Sequence, residues 1–283
     1  MEKSIRKFWP IFVLPTLAAF IIGFIWPFIW GIGLSFCQFI TVNKVTFVGL
    51  QNYISVWADT TFTHAFVFTA AFTIVSTVLI NLCGFGLALL LTRHIKGTNL
   101  FRTVYFMPNL IGGVVLGYIW QTLFNGILTI LGKPLITLNA TYGFWGLIIL
   151  MCWQQIGYMM IIYIAGLQNV PPDLIEAAKI DGANSRQILT KVKIPMVMPS
   201  VTICTFLTLT NSFKLFDQNL SLTGGEPAKS TMMLAYNIYD TFYARSGPQW
   251  KGIGQAKAVV FFLAVIVIAL IQLRITRSKE VQQ

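Results

Sequence analysis

The chain has 283 residues, of which 56% are hydrophobic and 10% charged, against about 25% charged in an ordinary globular domain. That balance excludes a soluble globular protein and indicates an integral membrane protein, with room for several spans of about 20 residues each and little besides. The net charge of +11 would suggest nucleic acid in a soluble chain; here the basic residues sit at the ends of apolar runs, and no nucleic-acid partner is expected.

The N-terminus is basic (Lys3, Arg6, Lys7), and the apolar segment behind it is too long for a signal-peptide core. It reads as a first, uncleaved span. Six apolar stretches follow in order, at roughly 9–36, 66–91, 103–124, 142–167, 195–216 and 256–273. Each can cross the hydrocarbon core as a helix, the form in which a span satisfies its own backbone polar groups. Pro108, Gly112, Gly113 and Gly117 interrupt the third, which implies close packing there. Thirteen basic residues fall on one side (Lys3, Arg6, Lys7, Arg93, Lys96, Arg102, Lys179, Arg186, Lys191, Lys193, Arg274, Arg277, Lys279) and six on the other (Lys44, Lys133, Lys229, Arg245, Lys251, Lys257). The positive-inside bias then puts both termini in the cytoplasm of a multi-pass protein of the cell (plasma or inner) membrane, surrounded by lipid. Lys214 and Asp217 fall near the outer end of span five by residue count, where snorkelling or pairing would account for them.

Between spans four and five lies a polar insert, 170–195, on the cytoplasmic side. Pro171-Pro172 stops span four. Asp173 and Glu176 have the spacing of a helix-start capping box. A short helix from about Asp173 to Ile180, a turn at Asp181-Gly182 and a second helix from Ser185 to about Lys193 are predicted, with Pro195 opening span five. The fold class expected is all-α: six transmembrane helices with a cytoplasmic helix-turn-helix coupling segment between helices four and five, forming one membrane domain over 1–283.

The spacing of Glu176, Ala177, Ala178, Gly182, Val192, Ile194 and Pro195 resembles the signature of binding-protein-dependent ABC importer permeases. Phe47-Val-Gly-Leu-Gln-Asn-Tyr53, Leu100-Phe-Arg-Thr-Val-Tyr-Phe-Met-Pro108 and Leu222-Thr-Gly-Gly-Glu-Pro227 are similar to further elements of the carbohydrate branch, specifically its maltose-permease F-type subunit. Glu226 before Pro227 departs from the commoner Gly-Gly-Pro. The resemblance implies a non-catalytic permease subunit. It implies pairing with a second homologous permease, two ATPase subunits inside and an extracellular or periplasmic sugar-binding protein outside. ATP and Mg would be held by the ATPase, with no cofactor in this chain. The ATPase-coupling residues would be Glu176, Ala177, Ala178, Gly182 and Pro195. Laid on this sequence, the sugar path would run past Tyr105, Asn109, Trp153, Tyr158, Thr205, Thr208, Asn211 and Ser212, with Gln154 and Gln155 as further amides.

Other classes fit less well. A membrane enzyme would need convergent acids, histidines, cysteines or metal ligands; His64 and His94 lie apart, and Cys37, Cys83, Cys152 and Cys204 show no CxxC spacing. An ion-coupled secondary transporter would want buried mid-span carboxylates and an internal repeat. An ABC permease for a glycerol-phosphate-type substrate would want cations along the path.

Overall fold

The computed structural model describes residues 2–41, 43–93 and 96–278; His94 and Lys279 lie outside the described residues. Its helices are α1 (Glu2–Phe20), α2 (Trp26–Leu34), α3 (Gln51–Ala58), α4 (Thr60–Leu91), α5 (Thr98–Phe106), α6 (Gly113–Ile130), α7 (Ala140–Gln168), α8 (Pro172–Ile180), α9 (Ser185–Gln187), α10 (Ile194–Phe213), α11 (Asp217–Leu222), α12 (Leu234–Tyr239) and α13 (Pro248–Arg277). Six helical segments are long and apolar enough to cross a membrane: Val13–Leu34, Thr60–Leu91, Gly113–Ile130, Ala140–Gln168, Ser185–Phe213 and Pro248–Arg277. The six spans expected from the sequence are therefore present, with shifted ends. The third begins at Gly113 rather than near residue 103. Pro108 sits in a 3-10 turn, Met107–Leu110, and Ile111 and Gly112 are extended, so α5 is a separate helix.

The chain divides into two compact units. The first comprises residues 1–60 and 238–262. Here α1 runs through a π-helical turn, Ile21–Ile25, into α2. A small antiparallel hairpin follows, β1 (Cys37–Phe39) with β2 (Val45–Phe47), which the all-helical expectation did not include. Asn52 on α3 donates from Nδ2 to the carbonyls of Ser35 and Cys37, at 2.9 and 2.8 Å, and so ties the hairpin to α3. Lys257, counted from the sequence as an outer-loop charge, lies inside α13 and is fully buried. Its Nζ donates to Asp59 Oδ2 and to Thr241 Oγ1, each at 2.8 Å. Arg245 lies 3.5 Å from the same carboxylate and stacks over Trp250. A buried ammonium persists only with such partners, because desolvation otherwise outweighs the gain from packing.

The second unit comprises residues 61–237 and 263–283. Its core is one apolar cluster drawn chiefly from α4, α7 and α10, with Phe72, Ile80, Leu147, Met159, Tyr163 and Cys204 among its buried members. Polar bonds cross this apolar contact. Asn81 on α4 donates from Nδ2 to Thr208 Oγ1 on α10 at 2.9 Å, and its Oδ1 accepts from Tyr163 OH on α7 at 2.6 Å. One turn away, Ser76 and Ser212 share a hydrogen bond of 3.0 Å. Gly113 and Gly117 of α6 face α11: a Cβ at Gly117 would strike Ser221 and one at Gly113 would strike Asp217. Small residues at membrane helix contacts permit such close approach, which answers the glycines noted in this span.

Asn81→Leu removes both of its interhelical bonds and strands the Tyr163 hydroxyl. With interhelical bonds in membranes worth about 0.6 kcal/mol each and at most about 1.7, thermal unfolding in detergent should show a loss of roughly 1–3 kcal/mol.

Candidate functional site

Two features of the second unit concentrate polar chemistry: the 170–195 insert and a cavity walled by α7, α10 and α11. The insert opens at Pro171, with Pro172 at the first helical position and no side-chain cap. The capping box expected from Asp173 and Glu176 is therefore absent. The prolines preset the helical φ, and α8 starts one residue earlier, which leaves Asp173 in the first turn where a carboxylate suits the helix dipole. The helix stops as predicted at Asp181-Gly182. Gly182 has φ +77°, its N–H donates to the Lys179 carbonyl at 3.1 Å, and the Ala183 N–H donates to the Ala178 carbonyl at 2.9 Å. This is a Schellman stop, which needs a left-handed residue that glycine supplies without strain.

The second helix of the insert starts at Ser185, as expected, and is capped by Asn184. Asn184 Oδ1 accepts from the Gln187 N–H at 2.9 Å, and Gln187 Oε1 accepts from the Asn184 N–H at 2.8 Å. This helix is not separate. After α9 a π-helical stretch, Ile188–Lys193, continues directly into α10. Pro195 offers no N–H to the Lys191 carbonyl and crowds it, so the ladder widens there instead of closing α-helically. Glu176, Ala177 and Gly182 are exposed, while Ala178 and Pro195 are half-buried. Apolar side chains are exposed on the same insert: Ile180 at 86% and Leu174 at 44%. A Cβ added at Gly182 would meet nothing within 4 Å.

The cavity holds about 280 Å³ and is lined by Met151, Gln155, Asn211, Lys214, Leu215, Phe216, Asp217 and Gln218. Gln155 Oε1 is buried there without a hydrogen-bond partner among the described residues. Its neighbour Gln154 is fully used: Oε1 accepts from Gln218 Nε2 at 2.7 Å, and Nε2 donates to the Ile111 carbonyl at 3.3 Å. Lys214 and Asp217 form no ion pair among the described residues; both face the cavity. Counting put them near the outer end of span five, and α10 does end at Phe213; the chain then turns into α11, which folds back against α6 and α7.

The eight path residues named from the sequence are distributed as follows. Asn211 lines the cavity. Thr208 donates to the Cys204 carbonyl at 2.8 Å and accepts from Asn81, and Ser212 bonds to Ser76, so both hydroxyls serve helix packing. Thr205 is half-buried on α10. Leu209, one turn beyond Thr205, lines a separate apolar cavity of about 400 Å³ with Thr73, Ile74 and Ile268. Trp153 meets Trp120 edge-on at 5.5 Å, and Tyr158 packs against Phe106 at 6.3 Å. Tyr105 is exposed on α5 and Asn109 half-buried in the 3-10 turn, so both precede span three instead of lying in it. Gln218 was the residue missed, and Lys214 and Asp217 were noted only as charges at a span end. The signal was the polar run Asp217-Gln218-Asn219, legible as the end of a span.

Residues 80–280 match the family model described as the binding-protein-dependent transport system inner membrane component. The chain belongs to this family. Among relatives, the "Probable starch degradation products transport system permease protein AmyD" of Thermoanaerobacterium thermosulfurigenes is 46% identical over 281 residues, covering 96% of this chain and 94% of that one. The "Multiple sugar-binding transport system permease protein MsmF" of Streptococcus mutans is 30% identical over 292 residues, covering 99% of each. A solved chain of a bacterial ABC transporter involved in the import of the acidic polysaccharide alginate superposes with a TM-score of 0.82 over 98% of both chains, at 21% identity. That likeness shows the fold.

Asn184→Ala removes one half of the reciprocal cap at the start of the Ser185–Phe213 span. A lost cap costs about 1 kcal/mol. Hydrogen exchange at Gln187 and Ile188 should quicken by about fivefold, with amides of α7 unchanged.

Proposed function

We propose that the chain is a permease subunit of an ATP-driven importer that passes a neutral oligosaccharide, of the kind released from starch, delivered by an external binding protein. The observation that carries the sugar reading is Gln155: a buried, unpartnered amide oxygen facing a polar cavity lined also by Asn211 and Gln218 and by one cation and one anion, Lys214 and Asp217, whose charges leave the wall without net charge. A buried acceptor without a partner costs about 1–3 kcal/mol. A ligand rich in hydroxyl donors supplies the partner. The names of the two sugar-system relatives support this class. At about 280 Å³ the cavity sits at the lower edge of the ~300–1,000 Å³ usual for small-molecule sites, which fits one wall of a path completed by a second, homologous permease.

In this reading the 170–195 insert faces the cytoplasm, as the basic-residue count requires, and both termini lie on that side. Glu176, Ala177, Ala178 and Gly182 meet a cleft in one of two ATPase subunits, with Pro195 setting the angle of the helix behind them. The exposed Leu174 and Ile180 are the apolar surface such a partner would cover. The ATPases bind ATP and Mg; this chain makes and breaks no covalent bond. Because the second arm of the insert is continuous with α10, a movement of the insert is transmitted along α10 to Asn211 as a rigid-body shift, the simplest route to alternating access. Tyr105, Asn109, Trp153, Tyr158 and Thr205 remain candidates for the wider path. Thr208 and Ser212 position α10 and act on the sugar only indirectly.

Gly182→Trp places a bulky group in open space at the turn, at the point where the ATPase would dock. Gly182→Asn keeps a residue tolerated at positive φ. Affinity purification in mild detergent should recover the ATPase with wild type and Gly182→Asn and lose it with Gly182→Trp. Recovery with all three would remove the coupling assignment.

A further inference from the structure

A second cavity, of about 330 Å³, opens between the end of α4 and the insert. Three cations line it: Arg93, Lys179 and Lys193. None forms an ion pair with a carboxylate among the described residues, and no acidic residue lines the cavity. The acids nearest in sequence on the packed elements, Asp173, Glu176 and Asp181, are all exposed and lie outside it. Ser185 adds a hydroxyl at the wall, and it makes no hydrogen bond among the described residues. The rest of the lining is Thr92, whose hydroxyl donates to the Leu89 carbonyl at 3.1 Å, and four aliphatic side chains, Leu89, Ile175, Ile188 and Leu189. Three convergent positive charges left without a counter-charge repel one another. An arrangement of cations above an aliphatic floor is complementary to an amphiphilic anion, not to a free inorganic one.

The floor also leads somewhere. Leu82 lies seven residues before Leu89, on the same face of α4, and is 66% exposed. An acyl chain leaving the cavity would run along that face of the span. We infer that this cavity binds an anionic phospholipid, its phosphate held by Arg93, Lys179, Lys193 and Ser185 and its chains laid along α4. Both α8 and the stretch leading into α10 contribute to the wall, so a lipid held here braces the insert from behind. Only the leaflet, the cytoplasmic one, rests on the orientation proposed above. Lipid occupancy is independent of ATPase docking and of the sugar.

The test is native mass spectrometry of the full chain, titrated with phosphatidylglycerol or phosphatidylcholine in detergent. Wild type should retain phosphatidylglycerol in preference to phosphatidylcholine. Each cation contributes about fivefold near an anionic headgroup, so Arg93→Gln, Lys179→Gln and Lys193→Gln together should weaken retention on the order of a hundredfold. The charge-preserving triple Arg93→Lys, Lys179→Arg, Lys193→Arg should keep it, and Lys133→Gln, in a loop outside this cavity, should not alter it. Equal binding of the two lipids by wild type would overturn the inference whatever the variants do. So would undiminished retention by the neutral triple, or full displacement of the lipid by excess inorganic phosphate, which would make the site one for free phosphate. Unchanged lipid retention with loss of the co-purified ATPase would assign the three cations to a protein partner instead, and overturn it as well.

Discussion

The amide of Asn81 holds three spans at one point. Its nitrogen reaches Thr208 on α10 and its oxygen takes the hydroxyl of Tyr163 on α7. In hydrocarbon, apolar side chains gain little by meeting one another rather than lipid, so packing and interhelical hydrogen bonds must set which helix faces which. Around Asn81 both are present: the bonds cross the apolar core of the second unit. Fixing α7 against α10 fixes everything that these two helices carry between them.

They carry the two features from which function is argued. The insert links the end of α7 to the beginning of α10, and the polar cavity takes Gln155 from α7 and Asn211 from α10. Asn211 follows Thr208 by three residues and precedes Ser212; those two are bonded to α4, while Asn211 lines the cavity. At the other end, the widened turn ahead of Pro195 makes the insert's second arm an extension of the span. A continuous connection of this kind suits the proposed transmission of movement from the insert to Asn211.

Much of this was legible in the residues. Six runs of sufficient length and apolarity declare six spans, because the bilayer sets the length. The stop at Gly182 is legible too, since a left-handed helix end has few alternatives to glycine. Other features depend on partners distant in the chain. Lys257 reads as an outer charge until Asp59, 198 residues away, is seen to neutralise it. Thr208 and Ser212 read as path residues because nothing local shows that Asn81 and Ser76 consume their hydroxyls. Residue counting put Lys214 and Asp217 at the end of span five, where α10 does end, but it carries no sign that α11 then turns back against α6 and α7. The start of span three was misplaced because Pro108 was read as tolerated, while the true break is the extended pair Ile111 and Gly112. Glu226, the departure from the family's commoner Gly-Gly-Pro, has a local role: its carboxylate accepts from the Ala228 N–H at 2.8 Å and closes the turn that carries it.

The central claim is that a sugar passes along the wall formed by α7, α10 and α11 under the power of ATP. The most direct measurement is uptake of a labelled starch-derived oligosaccharide into proteoliposomes that hold the assembled transporter and its binding protein, comparing wild type with Gln155→Leu. Uptake should require ATP, and loss of one hydrogen bond to a neutral partner, about 0.5–1.5 kcal/mol, should lower it by roughly two- to tenfold while the ATPase stays assembled. Uptake that proceeds on an ion gradient without ATP, or that is indifferent to Gln155→Leu, would contradict it.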